Sequence, residues 1–277
     1  MKRSKKVALF SNLAIVCVLI GLGVAVFTAD LSSVFISVGA PVSNGDRARG
    51  GVTLMFVVEP QPTLASSIGM SSSVEKNLNA LLKFLEDHDN MPAAFFVGGQ
   101  WAYKNQGLVR KMVNTEYLTV GNHGNTNTSF TKLGKKAQYK EIESCQTFVN
   151  MCLTSTEVAK EGGNVTADGE EMGRFDTIGS KDGYAMKYFM PPNGDFNKTT
   201  LRAAKKMRVT PVLPSVDTTR LTYGETRFSK AATAQPGDFV LIELNDSTTY
   251  NLSIILTDWA KRAEPLNVIK LEDNLAC

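Results

Sequence analysis

Short apolar runs of strand length recur along the chain, and amphipathic segments separate them. Seven runs rich in Val, Phe and Ile predict strands at Val52–Val58, Ala93–Val97, Tyr117–Val120, Lys187–Met190, Val209–Leu213, Phe239–Leu244 and Asn267–Leu271. Helical spacing of apolar residues predicts helices over residues 74–85, 133–152, 198–207 and 252–259. Strands that alternate with helices indicate a parallel α/β fold. At 277 residues a (β/α) barrel is favoured over an open doubly wound sheet.

The N-terminus has the pattern of a membrane segment. Residues 7–29 carry no charge over 23 positions and follow a basic cluster in residues 1–6. This length suffices to cross a hydrocarbon core of about 30 Å as a helix. We therefore expect a cytoplasmic basic tail at 1–6, a transmembrane signal anchor at 7–29 and an extracytoplasmic remainder, as in a single-pass membrane protein. A cleavable signal peptide is the alternative interpretation.

Charge and composition limit the kind of partner. Hydrophobic residues make up 43% of the chain and charged residues 21%, which excludes a wholly disordered protein. Beyond residue 29 there are 26 basic and 27 acidic residues, so we expect no nucleic acid as the main partner. Residues 30–50 are rich in Ser and Gly and predict a linker before a domain at 51–277. Residues 155–183, with six glycines and seven acidic residues, predict a loop insertion that is either solvated, a lid or a partner surface.

Six segments in order along the chain resemble one family. They are LMFVVEP at 54–60, PAAFFVGGQW at 92–101, VGNHGNTNTSFTKL at 120–133, KYFMPPNGDFN at 187–197, VLPSVDT at 212–218 and PGDFVLIEL at 236–244. Together they resemble the polysaccharide deacetylases, the NodB-homology fold of carbohydrate esterase family four. The resemblance covers about residues 50–275. It implies a distorted (β/α) barrel with its site at the carboxyl ends of the strands, and a metal-dependent hydrolysis of N-acetylated sugars.

The resemblance also implies which positions would do the chemistry. Two positions that hold carboxylates in the family, the base and a metal ligand, are Val57 and Val58 here. The first metal-binding histidine is kept as His123. Three further positions have changed, from the second histidine to Asn127, from the orienting arginine to Met190 and from the acid histidine to Glu243. Apolar side chains neither bind metal nor move protons, and one imidazole alone does not hold a catalytic metal. We therefore expect no catalytic residue and no metal.

These losses favour a pseudoenzyme that binds cell-wall glycan or an envelope protein. The candidate residual pocket comprises Glu59, His123, Asn127, Asn193, Asp217 and Glu243. The alternative is a diverged hydrolase of cell-wall polysaccharide that binds zinc or another divalent metal in a rebuilt site, through His123, Glu59 and Glu243. Against that alternative, Glu59 falls on a glycine position of the family, which argues that its side chain points away.

Three aromatic residues, Trp101, Tyr103 and Tyr188, are candidates for stacking on sugar rings or, alternatively, for ordinary packing.

Overall fold

A computed structural model describes residues 39–59, 74–154 and 183–275. The predicted anchor at 7–29 and nearly all of the predicted insertion at 155–183 lie outside the described residues and stay predictions. Within the described ranges, no helix combines the length and apolar character needed to cross a bilayer. The chain divides into two compact units, Met1–Gly39 and Ala40–Cys277, and every core residue discussed below belongs to the second.

The domain begins before the expected boundary at residue 51. Val42 forms a parallel bridge with Val212, and Asn44 forms an antiparallel bridge with Asp238. The Val42 amide donates to the Pro211 carbonyl at 2.9 Å. The segment from residue 40 to 50, predicted as linker, is therefore hydrogen-bonded to the sheet. The backbone of Val42 pairs with residues 211–213, at the end of a short strand.

The sheet is wholly parallel, as predicted. Its strands are β1 Gly51–Val58, β2 Ala93–Val97, β3 Leu118–Asn122, β4 Tyr188–Phe189, β5 Thr210–Pro211, β6 Val216–Asp217, β7 Phe239–Leu241 and β8 Asn267–Val268. The order is β5-β4-β3-β2-β1-β7-β6, and β8 pairs with the start of β1. The two edge strands β5 and β6 are separated by residues 212–215 alone. Such a short link keeps the edges near each other, so the sheet curls into a half-barrel that fits the expected barrel type.

Eight helices accompany the described strands: α1 Val74–Asp87, α2 Gly99–Lys104, α3 Gln106–Val113, α4 Lys135–Thr154, α5 Lys198–Lys206, α6 Arg227–Ala231, α7 Thr248–Ala260 and α8 Leu271–Leu275. The four predicted helices are α1, α4, α5 and α7. The other four are shorter, and the apolar run expected as a strand to Leu271 ends at Val268, where α8 follows. β6 lies outside the seven predicted runs, since two residues cannot show a period.

Alternation along β1 sends its side chains to two different cores. Leu54, Phe56 and Val58 are fully buried against the helices outside the sheet. Met55 packs instead inside the curl of the sheet, and Val57 lies beside that inner cluster. Position 57 therefore faces the interior of the half-barrel, whereas position 58 faces the helix layer.

Two of the three candidate stacking residues are core residues. Trp101 is 3% exposed and packs in the outer core, and Tyr188 is 8% exposed and packs in the inner one. Tyr103 is exposed but packs at a tilt against Phe148, with ring centres 5.2 Å apart. None of the three lines the cavity described next, so packing is their role here.

Candidate functional site

A cavity of about 550 Å³ opens where strands of the half-barrel end. Its apolar floor includes Val57 from the end of β1, Met190 after β4 and Leu241 from the end of β7. The polar side chains that line it are Glu59, His123, Asn193, Ser215, Asp217, Thr219, Arg220, Lys230 and Glu243. The site therefore lies at the carboxyl ends of parallel strands, where the sequence analysis expected it.

Glu59 turns toward the cavity and reaches two other candidate residues. Its Oε1 accepts a hydrogen bond from Asn127 Nδ2 at 2.8 Å, and its Oε2 lies 3.7 Å from His123 Nε2. The expectation that its side chain points away was wrong. Glu59 follows the last residue of β1, so its direction is set by the chain leaving the ladder rather than by strand alternation.

Burial decides the protonation of this pair. The His123 side chain is 4% exposed, and loss of water lowers its pKa to about 4, although a backbone contact with Met190 acts in the opposite direction. Burial raises the pKa of Glu59 to about 7. At neutral pH the imidazole is therefore uncharged, and the contact with Glu59 is not an ion pair.

Two buried polar atoms of this pair have no hydrogen-bond partner among the described residues. They are Glu59 Oε2 and His123 Nδ1. The distance of 3.7 Å between Glu59 Oε2 and His123 Nε2 is too long for a hydrogen bond. Buried polar atoms in native proteins are nearly always paired, so an unpaired carboxyl oxygen beside an open cavity points to a place for a ligand or ordered water.

The loop that carries His123 and Asn127 is held by hydrogen bonds to β2 and to α4. The His123 amide donates to the Val97 carbonyl at 3.0 Å, which continues the pairing of β3 with β2. Glu141 Oε2, on α4, accepts from the amides of Asn125 and Thr126 at 2.9 and 2.7 Å. The cavity side of this loop is therefore positioned by a carboxylate on the helix behind it.

The opposite wall of the cavity carries paired charges. Glu243, the residue at the acid-histidine position, accepts a short hydrogen bond from Arg227 on α6. Asp217 accepts from the Thr219 amide at 2.9 Å and lies 3.5 Å from Arg220 Nε. Arg220 also donates to the carbonyl of Asn193, which has a left-handed φ of 58°. These acids are therefore engaged by cations rather than free to act on a ligand.

The positions that the resemblance assigns to chemistry lie in different surroundings. Val57 and Met190 line the cavity, so apolar groups occupy the places of the implied base and arginine. Val58 is fully buried against the outer helices and does not line the cavity. A carboxylate at position 58 would therefore face the outer core in this structure.

The donor set of the site does not fit a divalent metal. It offers one imidazole, one carboxylate and one amide, and the Asn127 amide donates its NH to Glu59 instead of offering a lone pair there. Across residues 39–59, 74–154 and 183–275, no group of three or more His, Cys, Asp or Glu side chains is placed to hold a metal ion. We derive no step through a metal ion for this site.

The structure brings the candidate residues into one region but adds partners that sequence reasoning missed. Glu59, His123, Asn193, Asp217 and Glu243 all line the cavity, and Asn127 reaches it through Glu59. The missed residues are Glu141, Arg220, Arg227 and Lys230. Arg220 lies three residues after Asp217, a spacing that could have indicated a local ion pair. Arg227 is 16 residues from Glu243, and Glu141 is 16 and 15 residues from Asn125 and Thr126. No local sequence pattern marks such distant pairs.

Comparison with known proteins agrees with this fold. The sequence model of the family named polysaccharide deacetylase matches residues 61–158. A search of curated protein sequences found no match. The chain shares 18% identity and a TM-score of 0.62 with a carbohydrate esterase family 4 pseudoenzyme from Bacillus anthracis, over 85% of this chain and 68% of that one.

Two further structures are similar. A mutant of that pseudoenzyme, described as having restored enzymatic activity, matches with the same identity and TM-score over 85% of this chain and 71% of that chain. A mutant peptidoglycan deacetylase from Bacillus subtilis shares 17% identity and a TM-score of 0.55, over 82% of this chain and 92% of that chain.

The curled parallel sheet with its strand-end cavity defines a (β/α) half-barrel of the NodB type. Together with the match of the polysaccharide deacetylase model over residues 61–158, this fold supports the predicted resemblance to the NodB-homology group of carbohydrate esterase family four.

Proposed function

We propose that this protein is a NodB-homology domain that no longer deacetylates and that binds an N-acetylated cell-wall glycan in its cavity. The observation that carries the proposal is the pair of unpaired buried atoms, Glu59 Oε2 and His123 Nδ1, beside an open cavity of about 550 Å³. Sugar hydroxyl and acetamido groups both donate and accept hydrogen bonds. They are therefore suited to a neutral imidazole and a carboxyl group whose pKa is about 7.

Loss of the family reaction is supported by three features of the same cavity. Val57 and Met190 give it an apolar floor, and Glu243 is engaged by Arg227. The groups that the resemblance assigns to activating a water molecule for attack on an acetyl carbon are therefore missing from this cavity. A cavity that keeps its shape but lacks these groups is suited to binding.

Acetate release and glycan affinity test the two halves of the proposal. Purified Ala40–Cys277, which holds all the core residues, is incubated with peptidoglycan and with chitin oligomers in the presence of zinc, and free acetate is measured. We expect no release above the blank. Release that depends on metal and disappears in His123→Ala would overturn the loss of activity.

Titration calorimetry with the same oligomers then measures binding. We expect Glu59→Leu, which removes both carboxyl oxygens, to weaken binding at least tenfold. Glu116→Leu is the matched control, because Glu116 is exposed and does not line the cavity. If the wild type does not bind the oligomers, the ligand is not this glycan, and the envelope-protein alternative takes its place.

An envelope protein is the second candidate partner, through the predicted insertion at 155–183. Deletion of that segment would then leave the domain folded while a co-purifying protein is lost. Anchoring through residues 7–29, with the domain on the extracytoplasmic side, belongs to the same proposal. It predicts that the full chain stays with the membrane after an alkaline carbonate wash.

A diverged hydrolase is the alternative that one contact favours. Glu59 and His123 converge to 3.7 Å, and a carboxyl with a pKa near 7 is suited to proton transfer at neutral pH. Glu243, the third residue of that hypothesis, lines the same cavity but is engaged by Arg227. Acetate release by the wild type and its loss in Glu59→Gln would favour this alternative.

A further inference from the structure

Two helices that lie outside the cavity form a strongly basic surface. Residues 130–140 and 196–211 together contain nine basic residues and no acidic one. The nine, here called the basic face, are Lys132, Lys135, Lys136, Lys140, Lys198, Arg202, Lys205, Lys206 and Arg208. All nine are exposed. They are about a third of the 26 basic residues in a body whose charges nearly cancel in total, so the positive charge is concentrated here.

Contacts between α4 and α5 join the two segments into one surface. Lys206 Nζ lies 4.2 Å above the ring of Tyr139, and Thr200 Oγ1 donates to Gln138 Oε1 at 2.8 Å. Tyr139 also packs on the apolar cluster that includes Ala203 and Ala204. The cations of α4 and α5 therefore lie on neighbouring helices rather than on opposite sides of the domain.

The charge of this face is largely unneutralised within the described part of the chain. Lys140 is paired with Glu143 at 3.0 Å. Lys198, Arg202 and Lys205 have no ion pair among the described residues, and they follow one another at i, i+4 and i+7 on the same side of α5. Two acids border the segments in sequence: Asp195 interacts electrostatically with Lys132, and Glu141 accepts hydrogen bonds from the amides of Asn125 and Thr126.

The N-terminal segment enters the domain next to this face. The Val42 amide donates to the Pro211 carbonyl, and the Leu213 amide donates to the Val42 carbonyl, both at 2.9 Å. Pro211 lies three residues after Arg208, at the end of the basic face. Only twelve residues separate Val42 from Ala29, the end of the charge-free segment, and even fully extended this stretch spans no more than about 45 Å.

We propose that the basic face docks the domain onto an anionic bilayer surface, beside the point where the membrane tether enters. The inference rests on the anchoring proposed above, because the tether is what brings this particular side of the domain near the lipid. Lysine and arginine side chains attract anionic headgroups, and the attraction decays within a Debye length of about 8–10 Å at physiological salt. A bilayer is favoured over a soluble polyanion because the basic face ends at Arg208, three residues before the Pro211 carbonyl that pairs with Val42, and none of its nine cations lines the cavity.

Vesicle binding by Ala40–Cys277, which lacks the anchor, tests the face by itself. Co-sedimentation is measured with vesicles of phosphatidylcholine alone and with vesicles containing 30% phosphatidylglycerol, at low and physiological salt. We expect binding to the anionic vesicles only, weakened by added NaCl. The variant Lys198→Glu/Arg202→Glu/Lys205→Glu should lose at least tenfold in affinity.

The matched control is Lys104→Glu/Lys111→Glu/Lys261→Glu. These three lysines are exposed, lie outside both basic segments and change the net charge by the same amount. We expect the control to stay within about threefold of wild type. An equal loss in both variants would mean that net charge alone drives binding, and the proposal would fail.

Three more outcomes separate membrane docking from its rivals. Binding to soluble polyphosphate without binding to anionic vesicles would assign the face to a polyanion in solution and overturn membrane docking. If instead the carbonate wash releases the full chain while the domain still binds vesicles, anchoring through residues 7–29 is refuted and binding of the basic face to anionic lipid is supported. If the full chain stays with the membrane but the domain does not bind vesicles, membrane docking of the basic face is refuted and the anchoring proposal is unaffected.

Discussion

Glu59 and Asn127 are 68 residues apart in sequence, and a hydrogen bond of 2.8 Å from Asn127 Nδ2 to Glu59 Oε1 joins the ends of two strand-loop segments. The other oxygen of Glu59 lies 3.7 Å from His123. The carboxyl group thus lies between the two positions that the family resemblance assigns to histidines. A glutamate at a glycine position connects them here.

This arrangement predicts that one substitution creates a metal site. In Asn127→His, a carboxylate and two imidazoles would face one another, which is a ligand set typical of zinc. We expect about one zinc per chain by elemental analysis after dialysis against micromolar zinc. Asn127→His/Glu59→Gln is the control and should bind none, since it lacks the carboxylate. A folded Asn127→His variant without zinc would contradict this reading of the geometry.

The raised pKa of Glu59 predicts a pH dependence of stability. Its pKa is about 7 in the folded protein against 4.5 in a model compound, so the folded state holds the proton more tightly. Its contribution to stability is complete below pH 4.5 and is lost as the pH rises through 7. Subtracting the free energy of unfolding of Glu59→Gln from that of wild type should give a value that falls by about 1–3 kcal/mol over this window.

His123 titrates in both proteins, so the subtraction removes most of its effect. Its pKa is lowered to about 4, and its own contribution is present above pH 6.5 and lost as the pH falls through 4. Urea unfolding at half-unit pH steps provides the measurement. A difference between the two proteins that does not change with pH would show that Glu59 ionises normally.

Glu141 should matter more than its neighbour Glu143 on the same helix. Glu141 Oε2 accepts two backbone hydrogen bonds and one from Thr126 Oγ1, and removing it leaves those donors unpaired. We expect Glu141→Ala to cost about 1–3 kcal/mol of unfolding free energy. Glu143→Ala removes a surface pair with Lys140 and should cost less than about 1 kcal/mol. Equal losses in urea unfolding would refute the role of Glu141 in holding the loop.

Gly121 is required by close packing behind the His123 loop. A Cβ atom at this position would lie 2.6 and 2.7 Å from two ring carbons of Phe96, which is itself fully buried. We expect Gly121→Ala to destabilise the protein by about 1–3 kcal/mol. Gly107→Ala is the control, because its Cβ would meet nothing within 4 Å and alanine favours the helix there. Thermal unfolding of both variants tests the contrast, and a neutral Gly121→Ala would mean that Phe96 moves aside freely.

Local periodicity was enough to predict the longer elements. β1 and β2 are continuous apolar runs buried on both faces, and α1 and α5 place apolar residues at helical spacing. It failed for β6, because a two-residue strand is defined by its partner across the sheet and shows no period. It also failed for α6, a helix of five residues.

By itself, the sequence determined the class of fold, the order of its segments and the placement of His123 at a strand end, since these follow from residue type and spacing. Only the tertiary structure decided that Glu59 turns inward, that Val58 faces the outer core and that Arg227 engages Glu243. Side-chain direction beyond the last ladder residue depends on how the chain leaves the sheet. Partners such as Glu59 and Asn127 meet only because parallel strands bring their carboxyl ends to one edge.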